Sequence, residues 1–152
     1  MPLLLLLVLL VLCSPYEAAS QRFAYQHYRQ SNGLPAQQVR AVTKGKSGAL
    51  WVGTDDGLFR FAGQDFTSYN SLLESHYVRA FAQKENGDLL FCNDTGIHLL
   101  VEEGDSARIE PLISASFTPN DSTQFYPNTL YYDLGGILWF GQPDGRLARW
   151  ND

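Results

Sequence analysis

From Gly33 onward the apolar residues of this chain fall in short runs that end at glycine-containing turns. Nowhere do they hold the period of about 3.6 residues that marks an amphipathic helix. Such runs predict short β-strands. One frame is then read three times: GALWVGTDDGLFRF from Gly48, GDLLFCNDTGIHLL from Gly87 and GILWFGQPDGRLAR from Gly136. Each copy sets two glycines nine residues apart, Gly48 and Gly57, Gly87 and Gly96, Gly136 and Gly145, and successive copies are offset by 39 and then 49 residues. The third residue after the first glycine is large and apolar, Trp51, Leu90 and Trp139, and the next is Val52, Phe91 and Phe140.

Ser47-Gly48, Asn86-Gly87 and Gly135-Gly136 suit tight hairpin turns, because glycine reaches positive φ without steric cost. Strands are predicted before each first glycine, at Val39 to Thr43, Tyr77 to Gln83 and Thr129 to Asp133. Others lie between the glycines and after the second, as at Leu58 to Phe61, with a fourth at Phe66 to Tyr69 and at Ala107 to Leu112. Four short antiparallel strands in a unit of about 40 residues is the spacing of a β-propeller blade. A β-sandwich also spaces short strands regularly, but it does not predict a matched glycine frame in three copies. The expected fold class is all-β: about three four-stranded antiparallel blades of an incomplete propeller, at about 33–70, 71–112 and 127–152, the last lacking its outer strand. Phe23 to Tyr28 has the composition of an outermost strand that would complete a different blade.

Gly33-Leu34-Pro35, the Val39, Ala41 and Val42 positions, Gly48, Leu50-Trp51-Val52-Gly53-Thr54 and Asp56-Gly57-Leu58 closely resemble the two-component regulator propeller repeat. The second copy keeps Val78-Arg79-Ala80-Phe81, Asn86-Gly87 and Gly96 but has Leu90 for tryptophan and Cys92-Asn93 for Gly-Thr. The third recovers Asp133, Gly136, Leu138-Trp139-Phe140-Gly141 and Asp144-Gly145, with Pro127 in place of the inner-strand valine. In that family the repeats build a large extracytoplasmic propeller at the front of membrane sensors, most often hybrid histidine kinases that regulate carbohydrate use. The resemblance implies an extracytoplasmic ligand-sensing segment of a two-component sensor, recognising a saccharide-like small molecule or oligosaccharide and lacking catalytic activity of its own. Its implied partners are that ligand and the remaining blades, membrane span and kinase parts of a longer chain, with a homodimer in the full-length protein and no nucleic acid. Two alternatives stand beside it: part of a secreted propeller enzyme acting on polysaccharide, and a protein-binding propeller. Three units fall short of the four to eight blades that close a ring. The expectation is therefore the front of a longer protein or a truncated product of one.

The chain opens with an apolar run, Leu3 to Leu12, shorter than the roughly 20 residues that span a bilayer, and reaches small residues at Ala18-Ala19-Ser20. Residues 1–20 read as a signal peptide cleaved before Gln21, leaving residues 21–152 as the partial propeller, although no Lys or Arg precedes the apolar run. The net charge is −5, with basic residues scattered, which argues against nucleic acid and anionic membrane surfaces. Cys13 falls in the segment to be removed; Cys92, between Phe91 and Asn93, reads as a small buried packing residue without a disulfide partner.

Chemistry-bearing residues are few. His27, His76 and His98 lack metal-ligand spacing and read as surface or strand-edge histidines, and no serine sits in a nucleophile elbow. No catalytic residue, metal or cofactor is therefore expected. Trp51 and Trp139 recur at one register and read as packing between blades. Tyr77, Phe125, Tyr126, Tyr131 and Tyr132, outside the repeated frame, are freer to stack on a sugar ring, and the stretch Ile113 to Asn128 holds the ten extra residues of the third unit, in the place where repeat proteins put binding loops. Arg40 and Arg79 share a repeat position at the start of the innermost strand. They can meet a carboxylate or sulfate of a ligand, or pair with a neighbouring Asp or Glu. The candidate ligand-binding residues are thus Arg40, Arg79, Tyr77, Phe125 and Tyr126.

Overall fold

A computed structural model of the chain describes residues 25–34, 36–115 and 126–151. The signal-peptide segment, Cys13, Phe23, Pro35 and Phe125 lie outside the described residues. Eleven strands form three antiparallel sheets. The first orders β1 (Val39–Lys44), β2 (Leu50–Thr54), β3 (Gly57–Phe61) and β4 (Phe66–Ser68) as they follow in the chain. The second does the same with β5 (Ala80–Gln83), β6 (Leu89–Asn93), β7 (Gly96–Glu103) and β8 (Ser106–Ser114). The third has β9 (Thr129–Tyr132), β10 (Ile137–Gly141) and β11 (Leu147–Asn151).

Every glycine of the repeated frame has positive φ, from 79° at Gly136 to 140° at Gly96. Space as well as conformation demands glycine at the second position of the first two units, whereas at Gly145 only conformation does. A Cβ on Gly57 would stand 1.8 Å from Asn70 Oδ1, and one on Gly96 would stand 2.0 Å from the carbonyl of Ile113. Asn70 fills the first gap: its side chain accepts from the Leu58 amide at 3.0 Å and donates to the Asp56 carbonyl at 2.7 Å.

The side-chain alternation of a strand sends successive residues to opposite faces, and the sheets stack on that alternation. Trp51, Leu58, Tyr69 and Val78 pack against Leu89, Phe91 and Leu100 between the first and second sheets. Leu90, Cys92 and Ile97 meet Leu138 and Phe140 between the second and third. Leu34, Val52 and Phe59 gather on the far face of the first sheet. All of β6 is buried because both its faces are covered. The far faces of the end sheets leave Val42, Tyr131 and Leu147 exposed.

Polar contacts join the first two sheets at the end where β1 and β3 finish. Glu102 is buried and accepts hydrogen bonds from the Trp51 indole (2.9 Å), the Ser47 amide (2.8 Å) and the Ser47 hydroxyl (2.7 Å). Lys46 Nζ lies 2.7 Å from Asp88 across the same gap. In the third sheet the Trp139 indole donates to Asp133 at 2.8 Å, a partner within its own sheet's turn.

Two elements differ from expectation. The strand anticipated from Tyr77 starts only at Ala80, because the Val78 amide donates to the Thr54 carbonyl of the first sheet at 2.9 Å and ties the segment across the gap. Residues 25–29 form no strand; instead the Tyr28 ring meets Phe61 edge-on at 4.9 Å and Phe66 at 5.5 Å, on the first sheet.

Burial opposes the charge on Glu102, but the bonds from Ser47 and Trp51 outweigh it and hold its pKa below the ordinary 4.5. A depressed folded value contributes stability that is complete above the unfolded value and is lost as pH falls through the folded one. Glu102→Ala leaves the indole and amide donors without an acceptor and should destabilise the full chain by about 2–3 kcal/mol. In thermal melts of Glu102→Gln beside the parent chain, the gap in melting temperature should narrow as the pH drops below 4.5. A gap independent of pH would show that the carboxylate charge contributes nothing.

Candidate functional site

The chain crosses from the end of each sheet to the inner strand of the next at one end of the stack, and there four of the five candidate residues are described. β1 carries an irregularity between Val39 and Ala41, where its register against β2 shifts, so Arg40 stands as the extra residue of a bulge. A bulge re-aims the side chain it carries. The Arg40 guanidinium lies 4.0 Å from the Tyr77 ring centroid and donates to Gln38 Oε1 at 2.8 Å. Arg79, just before β5, sits 4.8 Å from the same ring and 5.3 Å from that of Tyr126. Arg40, Tyr77, Arg79 and Tyr126 therefore converge.

Arg79 also pairs through one amino group with Asp94, in the turn between β6 and β7. The second carboxylate oxygen of Asp94 accepts from the Ser75 hydroxyl at 3.1 Å. The other amino group of Arg79, Nη1, is enclosed with no hydrogen-bond partner among the described residues. A cavity of about 490 Å³ opens beside these groups, lined by Gln38, Val39, Arg40, Tyr77, Arg79 and Asn128. Guanidinium groups, amides and a phenol thus face one space.

Counting back from the first glycine of each unit explains the convergence. Ten residues before it stand Gln38, Tyr77 and Tyr126, and eight before it stand Arg40, Arg79 and Asn128. Tyr77 and Tyr126 are therefore repeat positions, contrary to the reading that set them outside the frame. The extra residues of the third unit precede Tyr126 and leave its distance to Gly136 unchanged. The sequence reasoning missed Gln38, Asn128 and Asp94. The signal for Asp94 was available: it stands seven residues after Gly87, as Asp55 does after Gly48.

A second cleft, of about 500 Å³, lies between the first two sheets at the same end and includes Glu74, Asp94, Thr95 and His98. His98 is not at a strand edge: β7 is flanked by β6 and β8, and the half-buried imidazole stacks on Phe91 at 5.0 Å. Its Nε2 lies 2.9 Å from Asn93 Oδ1 and 3.1 Å from Thr95 Oγ1. Burial pushes the His98 pKa below its ordinary 6.5. Among the described residues no group of three or more His, Cys, Asp or Glu is placed to hold a metal ion.

Residues 33–56 match the family described as the two component regulator propeller. No curated protein matches the chain. Among solved structures, the extracellular domain of a hybrid two component system from B. thetaiotaomicron is 20% identical with a TM-score of 0.53, covering 73% of this chain and 15% of that one. A catalytically inactive virginiamycin B lyase from Staphylococcus aureus, solved with quinupristin, is 18% identical with a TM-score of 0.53, covering 78% of this chain and 43% of that one. The selenomethionine-substituted form of that lyase is 15% identical with a TM-score of 0.50, covering 74% and 41%. The chain thus spans less than half the length of these neighbours. It carries a two-component regulator propeller repeat and has the all-β architecture of propeller blades.

Cys92 is fully buried, and that burial pushes its thiol up to about 12. A thiol so raised is neither a nucleophile nor a metal ligand at neutral pH. With the chain freed of residues 1–20, a thiol-reactive disulfide reagent should label Cys92 only after denaturant is added. Rapid labelling of the folded chain would place this residue at an accessible site.

Proposed function

We propose that this chain, which carries a two-component regulator propeller repeat, is the ligand-sensing propeller segment of a two-component signal transduction protein, held outside the cytoplasm, and that it recognises a saccharide-like ligand. The observation that carries this reading is the convergence of Gln38, Arg40, Tyr77, Arg79 and Asn128, repeat positions from three consecutive units, on one cavity, with the Tyr126 ring beside Arg79. Ligand sites commonly occupy roughly 300–1,000 Å³ and orient their occupants with a few polar groups. The cavity here falls in that range at about 490 Å³. Amide and guanidinium donors suit the hydroxyls of a sugar, and phenol rings offer an edge or face to its apolar side.

The same chemistry favours binding over catalysis. Of the carboxylates in contact with the cluster, Asp94 is held in an ion pair with Arg79 and by the Ser75 hydroxyl, and Asp55 accepts the Gln38 backbone amide. General acid–base work needs a titratable group within reach of the reacting atoms. No observation at the cluster favours a polysaccharide-cleaving reading.

Three things support a place outside the cytoplasm: the leader-like pattern of residues 1–20, the repeat match, and a fold neighbour that is itself an extracellular domain. No helix among the described residues is long and apolar enough to cross a membrane. The reading places the boundary of the exported segment at residue 21 and assigns residues 21–152 to blades of the sensor.

Two measurements test this. A phosphatase reporter that folds only outside the cytoplasm, fused after residue 152, should be active and should lose activity when Leu3 to Leu12 is replaced by a polar stretch. On an oligosaccharide array the full chain should retain a sugar ligand, with Tyr77→Ala weakening it roughly 3- to 30-fold through loss of the ring under two guanidiniums. A folded chain that retains no sugar across a broad array overturns the ligand assignment.

A further inference from the structure

The lining of the cavity carries two guanidiniums and no carboxylate. Arg40 makes no ion pair among the described residues; its contacts are the Gln38 side-chain carbonyl and the face of Tyr77. Arg79 spends one amino group on Asp94, while its Nη1 is enclosed without an acceptor. Asp55, also at this end, accepts the backbone amide of Gln38 at 3.0 Å and makes no ion pair with either arginine. A guanidinium laid against an aromatic face keeps its N–H donors in its own plane, directed past the ring, and is held in that attitude before any ligand arrives. Two guanidiniums so held stand in a lining without a carboxylate, on a chain of net charge −5.

A neutral sugar would hydrogen-bond to these donors but would bring no negative charge to the two guanidiniums of the lining. A carboxylate or sulfate matches both the donor geometry and the charge. We infer that the saccharide taken at this ring is acidic, its anionic group meeting Arg40 and Arg79 while its hydroxyls meet the amides of Gln38 and Asn128. The inference rests on the reading of the ring as a saccharide site and narrows it to one class, sugars that bear a carboxylate or sulfate group. Asp94 competes with the ligand anion for Arg79, so Arg40, which has no such competitor, contributes the larger share of the selectivity.

The test is calorimetric titration of the full chain with a panel of uronate oligosaccharides and with the same oligosaccharides after reduction of each carboxyl to a primary alcohol. Reduction keeps ring size and stereochemistry and removes only the charge. At least one uronate oligosaccharide should bind about tenfold or more tightly than its reduced counterpart, since a charge-assisted bond is worth about that factor. The preference should shrink as salt is raised from low to physiological concentration. Arg40→Gln should abolish most of the preference and Arg40→Lys should keep part of it. Arg40 is exposed in its bulge, so both variants should keep the parent melting temperature. Arg79→Gln serves as a second variant wherever its melting temperature also holds.

Equal or tighter binding of the reduced sugars overturns the acidic assignment and leaves the ring standing as a saccharide site. A uronate preference untouched by Arg40→Gln and by Arg79→Gln overturns the assignment of that preference to this ring. Failure of the folded chain to bind either form overturns this inference and the saccharide reading together.

Discussion

The second sheet is buried on both faces, and the rest of the molecule is arranged around that burial. Leu89 and Phe91 point to one neighbour and Leu90 and Cys92 to the other, as the two-residue period of β6 requires. Fully burying side chains of this kind contributes roughly 1.5–3 kcal/mol each, and the two faces of β6 bury several of them. The approach this packing demands is close. A Cβ on Gly53 would stand 2.6 Å from Val78 Cγ1, so the first sheet accepts Val78 only because position 53 has no side chain. With Val78 seated there and its amide on the Thr54 carbonyl, the residues on either side of it, Tyr77 and Arg79, are delivered to Arg40. The candidate site is thus a product of core packing one residue away.

Polar groups trapped by the same packing are satisfied locally. The buried indole of Trp51 needs an acceptor, and Glu102 of the second sheet supplies one while also holding Ser47. Trp139, at the same repeat register, takes Asp133 within its own sheet. One register therefore joins neighbours in the first unit and steadies a turn in the third. The difference follows from what covers each tryptophan: Trp51 is enclosed by the second sheet, whereas Trp139 lies on the far face of the third and is only half-buried.

The cluster at the inner-strand starts shows how a repeat scaffold acquires a specific site. Equivalent backbone positions from three sheets come to one end, and the residues placed on them differ: Gln38, Tyr77 and Tyr126 at one position, Arg40, Arg79 and Asn128 at the other. The frame supplies rigid placement and the substitutions supply chemistry, which is how loops on a stable scaffold generally carry function. Asp94 lines the cleft beside His98 and is tied to the cavity through its ion pair with Arg79.

Much of the fold was legible from residues alone. The glycine frame located the hairpins because positive φ at Gly48, Gly57, Gly87, Gly96, Gly136 and Gly145 is a local demand that glycine meets at no steric cost. The apolar runs between them marked the strands, and the repeated tryptophan register marked the direction in which the sheets face one another. Arg40 and Arg79 could be named as candidates by residue type and place in the unit, and Tyr77 and Tyr126 by residue type alone. Their meeting could not, nor could the roles of Asp94, Glu102, Gln38 and Asn128. Strand pairing and turn conformation are settled within about a dozen neighbouring residues, so the sequence by itself determined the sheets and their register. Which side chains face one cavity depends on how separate sheets approach, through contacts such as Gly53 against Val78, and only the tertiary structure decided that.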